Sequence, residues 1–142
     1  MKPSHRWPIR IYYEDTDHGG VVYHANYLRY MERARTELLR AANIELNQVQ
    51  EQWGVIFAVT KLAIDYLQPA HFNDALEVIS TLHDVRGARL AYTQTVVRCD
   101  LQHTQLTKAE VKLACIDSVG RACRIPSPLL QLLYGISTDQ SK

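Results

Sequence analysis

With 142 residues the chain has room for one domain, and at that size roughly 68–70% of the unfolded surface can be buried without covalent staples. Its 46% hydrophobic and 22% charged residues argue against disorder, and no run approaches the ~18 apolar residues of a membrane span. Sixteen Lys and Arg against 15 Asp and Glu leave a net charge of +1, so any anionic ligand must be held by local cations, and neither nucleic acid nor an anionic membrane is drawn to the surface as a whole.

Pro3 and Pro8 mark an N-terminal arm over 1–8, and the apolar and aromatic run 9–13 reads as a strand. Glu14-Asp15-Thr16-Asp17-His18-Gly19-Gly20 is turn chemistry. From Asn26 the period becomes helical. Tyr27, Tyr30, Met31, Ala34, Leu38, Ala41 and Ala42 form one stripe at spacings of three and four, with Asn26 as N-cap and Asn43 just past the C-terminus. The rest is mostly strand: 55–67, 76–85, 90–99 and 108–116, with a hairpin connection at Arg86-Gly87-Ala88-Arg89. In the last of these, Ala109, Val111, Leu113 and Cys115 alternate with charged neighbours. A short strand at 121–125 and a helix at 129–134 follow, and 137–142 reads as a frayed tail. One strand, one long helix and a run of strands joined by short turns give an α+β domain, an antiparallel sheet with a single helix on one face. Its open edge invites strand pairing into a dimer.

The three cysteines, Cys99, Cys115 and Cys123, are odd in number and form no C-x-x-C pair. They read as buried thiols in a reducing compartment. With no apolar leader at the start of the sequence, the expected location is cytoplasmic.

Chemistry concentrates in 12–27, where carboxylates precede a Gly19-Gly20 loop that leads into the long helix. A helix N-terminus offers unpaired N–H groups to a developing oxyanion, and a nearby carboxylate can attack a carbonyl or activate a water. Glycines let the backbone approach a ligand closely. Taken alone, an Asp before a glycine turn is more often a turn residue. Asp15 reads as structural, holding the loop through side-chain to backbone bonds. Asp15, Asp17 and His18 are too few and too crowded on one short segment for a metal site.

The segments Tyr12-Tyr13-Glu14-Asp15-Thr16-Asp17, Gly19 through Tyr27, and Glu32-Arg33-Ala34-Arg35-Thr36-Glu37 together resemble the signature of the 4-hydroxybenzoyl-CoA thioesterase family of hotdog-fold proteins. More narrowly, they resemble its YbgC branch, associated with the Tol-Pal system. The resemblance implies a hotdog fold, a homodimer or homotetramer with sites at subunit interfaces, and hydrolysis of an acyl-CoA thioester without a cofactor. Acyl carrier protein thioesters are a second possible substrate. The resemblance assigns the catalytic carboxylate to Asp17 and the carbonyl-polarising backbone N–H to His24. Tyr13, Gly20 and Tyr23 are expected to shape the pocket, with Arg86 and Arg124 meeting CoA phosphates. Two mechanisms fit Asp17, direct attack and activation of water. Two other functions compete: a hotdog hydratase or dehydratase, and a non-catalytic acyl-binding scaffold.

Overall fold

The structure is a computed structural model and describes residues 4–139. In chain order it contains β1 (His5–Arg10), a 3-10 turn (Tyr13–Asp15), α1 (Asn26–Ala41), α2 (Leu46–Trp53), β2 (Ile56–Tyr66), β3 (Ala75–Arg86), β4 (Arg89–Arg98), β5 (Gln105–Ile116) and α3 (Ser127–Gly135). The five strands form one antiparallel sheet in the order β1-β3-β4-β5-β2. α1 lies on one face, which is the α+β hotdog arrangement the resemblance implies. No helix among the described residues is long and apolar enough to cross a membrane.

The stripe on α1 explains why this helix is the one the sheet holds. Tyr27, Tyr30, Met31, Ala34 and Leu38 are buried against the inner sheet face, together with Arg35 and Leu39. Ala41 is exposed, so the stripe ends a turn before expected. Asn43 takes φ +64°, and the chain closes with bonds from Asn43 N to Arg40 O and from Ile44 N to Leu39 O. That pair is a Schellman motif, with Asn in the left-handed position. At the other end Ala25, not Asn26, is the N-cap and supplies no side-chain bond. Asn26 instead spends its amide on the carbonyl of Asp15, at 2.9 Å.

The clean alternation of β5 holds: Ala109, Val111, Leu113 and Cys115 are buried, and Lys108, Glu110 and Lys112 are exposed. Three expectations fail for identifiable reasons. The first strand starts at His5, inside the expected arm, and Pro8 is tolerated because β1 is a sheet edge. The expected strand at 121–125 is reduced to one bridge, Ile116 to Ala122, because it lies on the β4 side of β5, where the β3–β4 turn and β4 itself occupy the rest of the edge. Residues 137–139 are docked rather than frayed: Thr138 N bonds Leu82 O, and the Asp139 carboxylate accepts Asp84 N and Val85 N. Residues 140–142 lie outside the described residues.

The other edge, β2, is largely uncovered. Ile56, Val59 and Tyr66 stay 40–48% exposed, and the register shifts at Thr60.

Candidate active site

The acidic loop is a small hairpin. Thr16 bridges Val22, Asp17 N bonds Val21 O at 2.8 Å, and Tyr23 N bonds Asp15 O at 3.0 Å. Its tip is a tight turn. Gly20 N returns to Asp17 O, and Gly20 sits at φ +84°, a region that L side chains adopt at a cost of about 1–2 kcal/mol. Asp17 Oδ1 accepts the Gly19 N–H at 2.8 Å, and Oδ2 accepts no bond among the described residues. Asp15 is structural, as its position suggested: its carboxylate accepts Tyr12 N at 2.7 Å, and its carbonyl takes Tyr23 N and the Asn26 amide. These bonds fix the loop to the first turn of α1.

The helix start faces the same loop. Among the described residues, the His24 and Ala25 backbone N–H groups have no acceptor. Such orphan donors, at the positive end of a 16-residue helix, can stabilise an oxyanion. The sequence reading overlooked Tyr66. Its hydroxyl donates to His24 O at 2.9 Å, and its ring meets His24 at 6.0 Å and Tyr27 at 5.7 Å, edge-on. Tyr66 thereby ties the end of β2 to the start of α1. Nothing local in sequence marks it, since the contact spans 42 residues. Tyr27 adds a second tie by accepting Ala70 N.

Tyr13 and Tyr23 are both at the surface of this region. Tyr13 packs edge-on against Phe72 at 5.9 Å, and Tyr23 lies 4.7 Å from the His24 ring. No hydrogen bond joins the Asp17 carboxylate to His24, and their backbones stand three residue steps apart along the hairpin.

Arg86 and Arg124 are brought together, but not beside Asp17. Ile125 N bonds Gly87 O, which lays Arg124 along the β3–β4 turn. The Asp17 loop is tied to residues 70 and 71, near the opposite end of β3. Eleven strand steps separate Ala75 from Arg86, roughly 36 Å at ~3.3 Å each. Within one chain β3 therefore runs its whole length between these arginines and the acidic loop. Arg86, Arg89 and Lys112, with Asp84, line a cavity of about 380 Å3, and none of the three cations forms a salt bridge among the described residues.

A second cavity, of about 170 Å3, opens between α1 and the exposed β2 edge. Its lining includes Glu32, Arg35, Thr36, Leu39, Phe57 and Val59. It is apolar apart from the helix residues. Among the described residues, no three His, Cys, Asp or Glu side chains gather as a metal site requires.

One comparison within the chain qualifies the acidic turn. Asp117 builds the same structure: Asp117 N bonds Arg121 O, Gly120 N bonds Asp117 O, Val119 N bonds Asp117 Oδ1, and Gly120 has φ +87°. Turn geometry alone thus gives Asp17 no chemistry. What sets it apart is the adjoining helix N-terminus. A Cβ on Gly19 would stand 3.3 Å from Asp17 Oδ1, but Val119 holds the equivalent position of the Asp117 turn with its N–H still bonded to Oδ1, so Gly19→Ala should shift the carboxylate only slightly. We expect a folded variant whose kcat stays within about threefold of wild type; a loss of tenfold or more would show that the Asp17 turn, unlike that of Asp117, does not accept a Cβ at this position.

A family model described as the Thioesterase-like superfamily matches residues 12–133, which makes this chain a thioester hydrolase of the hotdog class. The Acyl-CoA thioester hydrolase YbgC of Escherichia coli O6:H1 is 44% identical over 112 residues, covering 79% of this chain and 81% of its own. The Acyl-CoA thioesterase YbgC of Haemophilus influenzae is 47% identical over 111 residues, covering 78% and 79%. The crystal structure of a probable thioesterase from Bartonella henselae has a TM-score of 0.81 at 30% identity, covering 87% of this chain and 100% of that one. The chain belongs to the YbgC family of that superfamily.

Proposed function

We propose that the chain hydrolyses acyl-CoA thioesters to free acid and CoA, with Asp17 as the working carboxylate and the His24 N–H polarising the carbonyl. The observation that carries this reading is the hydrogen-bonded loop that ties the Asp17 turn to the orphan amides of the α1 N-terminus. Asp17 Oδ2 is free to attack the thioester carbon or to take a proton from water. In either case negative charge develops on the carbonyl oxygen, where N–H donors are worth ~2.7–4 kcal/mol each. The cavity beside α1, mostly apolar on its strand side and open to the surface, is the candidate for the acyl group.

Two copies make the site complete in this reading. Antiparallel pairing of two β2 edges covers Ile56, Val59 and Tyr66. It also turns the second sheet end over end, so that Arg86 and Arg124 of the partner subunit come level with the Asp17 loop. CoA phosphates reaching from one chain to the other would meet them. The double variant Arg86→Ala/Arg124→Ala should raise KM for acyl-CoA about tenfold while leaving kcat within about twofold. Equal KM for wild type and variant would remove these arginines from the site.

The reaction itself is tested by following thiol release and enoyl absorbance on the same enoyl-CoA. Thiol release without hydration supports hydrolysis. Loss of the enoyl chromophore with no thiol would move the protein to the hydratase class, and binding without either would leave an acyl-binding scaffold. Parallel assays on acyl carrier protein thioesters decide the carrier.

A further inference from the structure

We propose that Cys115 and Cys123 form a dithiol site that a peroxide converts to an intrachain disulfide. The two sulfurs lie 3.7 Å apart. Their backbones are already in register: Ile116 bridges Ala122, flanked by bonds from Asp117 N to Arg121 O and from Cys123 N to Cys115 O. Residues 115 and 123 are therefore directly opposite. Opposed antiparallel residues have Cα atoms about 4.5–5.5 Å apart, inside the 4.4–6.8 Å that disulfides span. Closing the sulfurs to ~2.05 Å needs side-chain rotation and a small shift, not refolding. The third cysteine cannot compete. Cys99 is exposed, contrary to expectation, and its N bonds Ala75 O at one end of β3, while Cys115 N bonds Ala88 O beyond the other.

The pair is asymmetric. Cys115 is fully buried, and burial, with the Cys123 thiol alongside, pushes its thiol up to about 12. It is a poor first nucleophile. Cys123 is partly exposed and meets the oxidant. Its thiolate attacks one peroxide oxygen, the S–O bond forms, the O–O bond breaks, and hydroxide leaves as water with the thiol proton. The Cys115 sulfur then attacks the Cys123 sulfenic acid. The S–S bond forms, the S–O bond breaks, and a second water leaves with the Cys115 proton. Two thiols lose two electrons and two protons, and hydrogen peroxide is reduced to two waters.

Position gives the bond a consequence. Cys123 immediately precedes Arg124, on the segment that lies along the β3–β4 turn. The disulfide tethers that segment to β5, the strand whose Lys112 lines the basic cavity. Its effect on activity rests on the CoA reading above; its formation does not.

The test treats the full chain with hydrogen peroxide, alkylates remaining thiols and measures the intact mass and a peptide map. The expected result is loss of two hydrogens, one alkylatable thiol left at Cys99, and a Cys115–Cys123 cross-link. Cys99→Ser should leave the cross-link intact and Cys123→Ser should abolish it. Sulfinic acid at Cys123 with Cys115 still alkylatable would overturn the proposal, as would a disulfide involving Cys99. In the second arm, the oxidised wild type should show KM for acyl-CoA changed at least twofold with kcat retained. A fully cross-linked protein with unchanged KM would overturn the link to Arg124, whereas absence of turnover in the reduced protein would strike only at the thioesterase reading.

Discussion

Asp17→Asn is expected to lower kcat on an acyl-CoA by about 100-fold or more while leaving the protein folded. The side chain is held by one bond, from Gly19 N to Oδ1, and an Asn carbonyl oxygen accepts it equally well. Stability should therefore move by no more than about 0.5 kcal/mol, as at an ordinary surface site. The catalytic loss is of another order. General-base assistance contributes typically 10²–10⁴-fold, and an amide can neither accept the water's proton nor form an anhydride. The chain supplies its own control. Asp117→Asn removes the same charge from a turn of the same geometry, away from the α1 N-terminus, and should leave kcat unchanged. If both variants lose activity equally, the loss reflects turn structure and not chemistry.

The second large effect is on stability. Gln94→Leu should destabilise the fold by about 3 kcal/mol, lowering Tm by about 10 °C in thermal unfolding. Gln94 is completely buried on β4. Its amide nitrogen donates to Met31 O on α1 and to Ser80 Oγ on β3, both at 2.9 Å, and its oxygen accepts Arg35 Nη1 at 3.0 Å. Arg35 is only 9% exposed, packs 6.0 Å from the Tyr92 ring and has no carboxylate within salt-bridge distance. Burial already disfavours its charge, with Tyr92 and Glu32 opposing that effect. Leucine fills the space of Gln94 but leaves the cation, the Met31 carbonyl and the Ser80 hydroxyl without it, and unpaired buried groups are costly. The double variant Arg35→Met/Gln94→Leu should recover part of the loss, because both partners are then apolar. No recovery would mean that Gln94 acts through its bonds to α1 and β3 alone.

What the sequence disclosed follows from how far each interaction reaches. α1 and β5 were legible because one face of each is buried, so their periods of 3.6 and 2 are written in consecutive residues. The Asp17 loop was legible in part for the same reason: the bonds that hold it to itself and to α1 join residues no more than eleven apart, while its ties to residues 70 and 71 leave no local mark. The Arg35–Gln94 pair, 59 residues apart, was not. α2 was missed because Val49 is its only buried residue, too little for a stripe; the left-handed Gly54 that closes it was the available signal. The distance of Arg86 and Arg124 from Asp17 is a property of strand length and sheet order, which no local pattern records. Asp117 shows the converse: its turn repeats that of Asp17 in its main bonds, with one more, from Arg121 N to Asp117 Oδ1.

The most direct measurement is release of free thiol from acyl-CoAs of short, long and aromatic acyl groups, by wild type, Asp17→Asn and Asp117→Asn under the same conditions. The account predicts turnover of at least one ester by wild type and Asp117→Asn, and its collapse in a folded Asp17→Asn variant. Full activity of Asp17→Asn on the ester that wild type hydrolyses would contradict it.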